Sequence, residues 1–123
     1  MKPKIVKANS LKETVTHERC LLAENYSDEK ISIAQARVKP GITTLTHRLT
    51  GVNEIYLVAR GKGQVDVGDL KPTKVSAGDL VVIPAGASQR ISNIGKTDLV
   101  FYCICTPRFT AECYSEEGEG KPH

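Results

Sequence analysis

An all-β sandwich or barrel is the fold this sequence predicts, on three observations. Short segments rich in β-branched and aromatic residues recur along the chain, each bounded by Gly, Pro, Asn or Asp. Turn-forming dipeptides separate them at intervals suited to strand reversals. No stretch has a helical apolar face; the best candidate, Ser10 to Glu18, is polar and rich in threonine and valine.

Taken in order, strands are expected over Lys4 to Lys7, Cys20 to Ala23, Lys30 to Val38, Thr43 to Leu49 and Glu54 to Ala59. Further strands are expected over Gly63 to Val67, Lys74 to Ser76, Leu80 to Ile83, Gln89 to Ser92 and Leu99 to Cys105. Pro40-Gly41 reads as a turn, and Thr50-Gly51-Val52-Asn53 as a hairpin loop joining the strands on either side of it. Gly68-Asp69 closes one strand onto the next, and Ala77-Gly78-Asp79 turns the chain before Leu80. Gly61-Lys62-Gly63 precedes the alternating Val65 and Val67 and not a helix, so it is not read as a dinucleotide-binding loop.

The 123 residues suit one core. The organisation expected is N-terminal strands over 1–29 packing on a barrel over 30–109, then a flexible tail over 110–123. Its end, from Glu116, is too poor in apolar groups to offset the entropy of ordering.

With 17 basic and 14 acidic residues the formal charge is +3, without the concentrated basic stripe that nucleic-acid binding requires. The start Met1-Lys2-Pro3-Lys4-Ile5-Val6-Lys7 has no apolar run of the secretory kind, and the run from Leu99 to Cys105 is far short of the ~20 residues of a membrane helix. A soluble cytoplasmic protein is expected, with no nucleic-acid or membrane partner. Cys20, Cys103, Cys105 and Cys113 lack the dense spacing of a disulfide scaffold and are expected to be reduced.

Chemistry concentrates between Gly41 and Gly61. Alternation puts Leu45, His47 and Leu49 on one face of their strand, and Glu54, Tyr56 and Val58 on one face of the next. A hairpin would then set Glu54 near Leu49 and Tyr56 near His47. An ionised glutamate in an apolar interior needs a cation, a hydrogen-bonding partner or a proton, which singles out Glu54. On the same spacing Glu54 also reads as a solvated rim residue, and His47 alone as a structural histidine.

The spacing of these residues resembles that of a single-domain cupin, a double-stranded β-helix of the jelly-roll type. The first cupin motif is matched by Gly41, His47, Glu54 and Gly61, with Leu49 in place of a second histidine. The second is matched by Gly78, Pro84, Gly86 and Asn93, with Asp79 after Gly78 and with Gln89 in place of a histidine. The likeness covers roughly Lys30 to Cys105.

In cupins with the full set, three histidines and a glutamate hold a divalent metal. Carried over residue by residue, the resemblance implies a metal site of His47, Glu54 and Gln89, weakened because an amide oxygen is a poor substitute for imidazole toward later transition metals. Zinc, nickel, manganese or iron are the ions it implies. The same residues could instead form a metal-free polar cluster around a small organic ligand, or Cys103 or Cys105 could supply a thiolate. Tyr56, Leu49 and Cys103 are the candidate contacts to such a ligand, and Arg60 and Arg90 could meet a substrate carboxylate at the barrel mouth.

Two functions follow as expectations from the resemblance. One is a metal-assisted enzyme acting on a small polar acid or sugar-derived substrate, its reaction open. The other is a metal-free cupin that binds a small molecule as a sensor or scaffold. A homodimer is expected in either case.

Overall fold

Residues that alternate between buried and exposed along a strand need a covering layer on one side only, and this chain meets that need by folding two sheets onto each other. The computed structural model describes residues 1–117. One sheet contains β1 (Thr14–Val15), β2 (Leu21–Ser27), β3 (Ser32–Val38), β5 (Asn53–Arg60), β8 (Leu80–Ile83) and β10 (Leu99–Thr106). Its six strands are ordered β1-β2-β3-β10-β5-β8. The other contains β4 (His47–Leu49), β6 (Lys62–Val67), β7 (Thr73–Ser76), β9 (Gln89–Asn93) and β11 (Tyr114–Glu116), ordered β11-β4-β9-β6-β7. All the pairings are antiparallel. The result is the all-β double-stranded β-helix expected from the sequence.

Val38, Val58, Ile83, Ile91, Leu99 and Phe101 meet between the sheets as the main core. A smaller cluster of Leu49, Val52, Cys105 and Cys113, with Tyr114 packed on it, closes the β4 end. Asn93 ties loop to core: its amide donates to the carbonyls of Val38 and Thr97, each at 2.8 Å, and its Oδ1 accepts from Gly95 N at 2.9 Å. A buried amide so fully partnered explains the need for asparagine there. Gly61 is required for two reasons, a φ of +90° and the absence of a side chain, since a Cβ would stand 2.7 Å from the Asp98 carbonyl oxygen.

Several elements differ from the sequence expectation. Lys4 to Lys7 forms no strand; it is exposed, with a short 3-10 turn over Ala8–Ser10 after it, because lysines flank too short an apolar pair to be covered. The strand expected over Thr43 to Leu49 is regular only from His47, although Thr43 bridges to Ser92. The Thr50 to Asn53 loop is not a hairpin between paired strands. β4 pairs with β9 and β11, whereas β5 pairs with β10 and β8, so the loop carries the chain from one sheet to the other. Within the tail expected to be flexible, Ala111–Cys113 forms a 3-10 turn and Tyr114–Glu116 pairs with β4, because Cys113 and Tyr114 supply apolar groups that Glu116 onward lacks. Residues 118–123 lie outside the described part.

The Cys thiols are all free. Among the described residues no helix is long and apolar enough to cross a membrane.

Candidate functional site

Three strands bring polar side chains to one interior. β4 contributes His47 and β9 contributes Gln89, directly opposite each other in one sheet, while β5 contributes Glu54 from the other. All three are buried, Glu54 to 6 % exposure. The strand register that sequence alternation implied for Glu54, with Tyr56 and Val58 on the same inward face, is the one present.

His47 Nδ1 lies 3.0 Å from the Leu45 carbonyl oxygen. A carbonyl oxygen only accepts, so Nδ1 carries a proton and the neutral ring keeps its lone pair on Nε2. Tyr114 of β11 stacks on the imidazole, with ring centroids 5.1 Å apart and planes 27° apart. Glu18 brings Oε2 to 3.5 Å from Nδ1, on the protonated side of the ring. That oxygen is buried without a hydrogen bond.

Glu54 has the same deficit on one side. Its Oε2 meets Cys105 Sγ at 3.6 Å, and its Oε1 is buried with no partner. Burial pushes the carboxyl above the ordinary range; the Gln89 amide, His47 and the Cys105 thiol pull it back, in that order, and the Glu18 charge adds to the rise. Gln89 exerts that pull without a formed hydrogen bond, for its Nε2 is also unpartnered. Its Oε1 accepts the Tyr56 hydroxyl proton in a buried bond across the two sheets.

A cavity of about 550 Å³ opens beside these groups, within the size range of small-molecule sites. His47, Glu54, Leu49 and Cys103 line it, as does Cys105. Gln89 and Tyr56 do not: Gln89 sits behind the wall, and Tyr56 braces it, with its ring 4.7 Å from that of Phe101. Tyr56, expected as a ligand contact, is absent from the lining of this cavity. Arg60 and Arg90 are also absent from the lining, and Arg90 is held by Asp66 at 2.9 Å.

Segments outside both cupin motifs also line the cavity. Thr16, His17 and Glu18 come from the stretch after β1, and Phe109, Ala111 and Tyr114 from the stretch after β10. Glu18 lies in the polar run that only failed as a helix. The one sequence signal for it was that a carboxylate two residues before a buried cysteine has little room to be solvated.

The fit of this donor set to a divalent metal is poor. His47 suits ligation, since a ring that donates Nδ1–H to a carbonyl presents Nε2. Glu54 offers one oxygen, but Leu49 offers nothing and the Gln89 oxygen is engaged by Tyr56. Glu18 approaches from the wrong side of the ring to share an ion with Nε2. Among the described residues no group of three His, Cys, Asp or Glu side chains is arranged to hold a metal ion. Burial, then the Glu54 charge, pushes the Cys103 and Cys105 thiols above their ordinary range. What the site offers is an imidazole acceptor and a buried carboxyl, in one partly apolar cavity.

Two antiparallel sheets rolled around such a cavity, with His47 of β4 and Glu54 of β5 on its wall, define the double-stranded β-helix class. The cupin domain family model matches residues 34–105, and the chain belongs to that family. An uncharacterized protein of Methanocaldococcus jannaschii is 31% identical over 112 residues, which cover 91% of this chain and 85% of that protein. The oxalate-binding protein of Thermotoga maritima is 34% identical over 71 residues, 58% of each chain. The crystal structure of a predicted oxalate decarboxylase from Thermotoga maritima superposes with a TM-score of 0.78 at 25% identity, covering 85% of this chain and 99% of that one. KdgF from Halomonas sp. reaches a TM-score of 0.82 at 13% identity over 90% of this chain and 99% of that chain, a likeness of fold alone.

Proposed function

We propose that this cupin binds a small organic molecule in its barrel without the help of a metal ion, as a sensor or scaffold. The reading is carried by one observation: the glutamine at the third ligand position gives its oxygen to Tyr56, while Glu54 Oε1 and Glu18 Oε2 stay buried without hydrogen bonds on residues of the same cavity wall. Buried carboxylate oxygens without hydrogen bonds are costly, and a ligand that supplies donors removes the cost. The polar end of the ligand meets Glu54 and His47 Nε2, and its body lies along the apolar wall of Leu49, Leu22 and Ala34. Tyr114, stacked on His47, keeps the ring oriented.

The metal-assisted enzyme implied by the family's usual ligand set is the less favoured reading, on the chemistry of Leu49 and the bonded Gln89. Two copies pairing through an outer sheet face suits either reading, since Leu57 and Leu80 sit opposite each other there and are exposed, as is Val82.

The experiment is elemental analysis of untagged protein after growth and dialysis with zinc, nickel, manganese and iron, with His47→Ala as control. The expected result is less than about a tenth of an equivalent of any of them, with parent and control alike. A stoichiometric metal in the parent, lost in His47→Ala, overturns the reading.

A further inference from the structure

The cavity has a charge signature that narrows its ligand, and the narrowing rests on the metal-free reading above. Glu18, Glu24 and Glu54 line it, and among the described residues no lysine or arginine does. His17 and His47 share the wall, but with both protonated they are still outnumbered by the acids. His17 is moreover 3.2 Å from the Glu116 carboxylate. Among the described residues the cavity therefore supplies no lysine or arginine as counter-charge to Glu54, which lines it, is only 6 % exposed and has one oxygen without a hydrogen bond. Around the acids stand aromatic rings: Phe109 and Tyr114 lie 6.4 Å apart between centroids, 70° between planes. Carboxylates joined by aromatic faces favour a positive charge held against an apolar body.

We propose that the cavity takes a small organic cation, a primary or secondary ammonium on an apolar body, its nitrogen held by Glu54 and Glu18. A primary ammonium carries three N–H donors and no acceptor. The acceptors on the cavity wall are complementary to it: Glu54 has an oxygen without a hydrogen bond, Glu18 Oε2 has the Nδ1 side of His47 at 3.5 Å, and the neutral His47 ring keeps its lone pair on Nε2. The body of the ligand lies against Leu22, Leu49 and Phe109. A dicarboxylate meets the reverse situation. Oxalate, named for the Thermotoga maritima relative, would bring two negative charges to a wall of three acidic side chains. A divalent metal shares the positive charge but finds too few inward donors.

Calorimetric titration of the full chain, stripped of metal with a chelator, tests this. The probes are benzylammonium, butylammonium, benzyl alcohol, butyrate and oxalate, with zinc and manganese as separate arms. The ammonium probes are expected to bind with submillimolar Kd, benzyl alcohol at least about tenfold more weakly, and the carboxylates not measurably. Glu54→Gln and Glu18→Gln, each checked for an unchanged β-sheet circular dichroism spectrum, are expected to weaken ammonium binding by at least about tenfold. Glu29→Gln, on an exposed turn, leaves it unchanged. Butyrate, oxalate or benzyl alcohol binding as tightly as the ammonium probes overturns the inference and leaves the metal-free reading standing. Failure of both ammonium probes overturns it as well. Binding of any probe only after zinc or manganese is added overturns both.

Discussion

Tyr56 and Gln89 are joined across the two sheets by a buried hydrogen bond in which the tyrosine hydroxyl donates to the amide oxygen. The bond takes up the only atom of Gln89 that could face a metal as a ligand. It turns a position that carries a histidine in many cupins into part of the barrel's frame.

Removing the Tyr56 hydroxyl leaves the Gln89 oxygen buried and unpaired. Tyr56→Phe is therefore expected to lower stability by about 1–2 kcal/mol, read as a lower denaturant midpoint with an unchanged slope. No change in midpoint means that the bond does not persist in solution.

Restoring imidazoles should restore coordination. The double variant Leu49→His with Gln89→His sets two new imidazoles beside His47 and Glu54, and it is expected to gain zinc affinity of at least about a hundredfold over the parent. Competition against a chromogenic chelator measures it. An unchanged affinity would mean that these two positions do not converge on Glu54.

Glu54 should make stability depend on pH in an unusual direction. Burial raises its carboxyl above the value of 4.5 that it has when exposed, so across the window just above 4.5 the folded state holds the proton and the unfolded state has lost it. Stability contributed by the neutral group is complete below that window and is lost as pH rises through the folded value. Gln89, His47, Cys105 and Glu18 all face the group, so the comparison of parent with Glu54→Gln isolates it. The variant is expected to be more stable than the parent near pH 8 and to show a flatter profile between pH 5 and 8. Thermal midpoints collected across that range check the sign.

Gly61 has no room for a side chain. Gly61→Ala would set a Cβ 2.7 Å from the Asp98 carbonyl oxygen and 2.9 Å from Leu99 Cα at a φ of +90°, both backbone contacts that cannot swing away. A loss of roughly 2–4 kcal/mol is expected by chemical denaturation. Gly41→Ala, at a φ of +80° with open space around it, should cost less than half of that.

Strand alternation, turn glycines and motif spacing are short-range signals, and they made the barrel legible. The inward facing of Glu54 follows from a period of two read along a single strand, and it holds in the fold. Gly61 and Asn93 are legible in part for the same reason, through the φ of +90° at Gly61 and the Asn93 Oδ1 bond from Gly95 N, whereas the approach of Asp98 to Gly61 and the Asn93 bond to Val38 come from far along the chain. The hairpin expected at Thr50 to Asn53 failed because a loop sequence specifies a reversal and not the sheet to which the next strand returns.

What local pattern could not supply is the meeting of distant groups. Glu18 reaches His47, and Tyr114 stacks on it, only because the segments before β2 and after β10 both fold across the mouth of the barrel. Tyr56 reaches Gln89 only because β5 and β9 belong to opposite sheets. Sequence spacing settled the family, the barrel and the place of its pocket, since these depend on turns and alternation that each strand carries within itself. Packing settled which buried atoms are satisfied and which are left without a hydrogen bond, since that balance belongs to contacts between chain segments far apart, and no single segment encodes it.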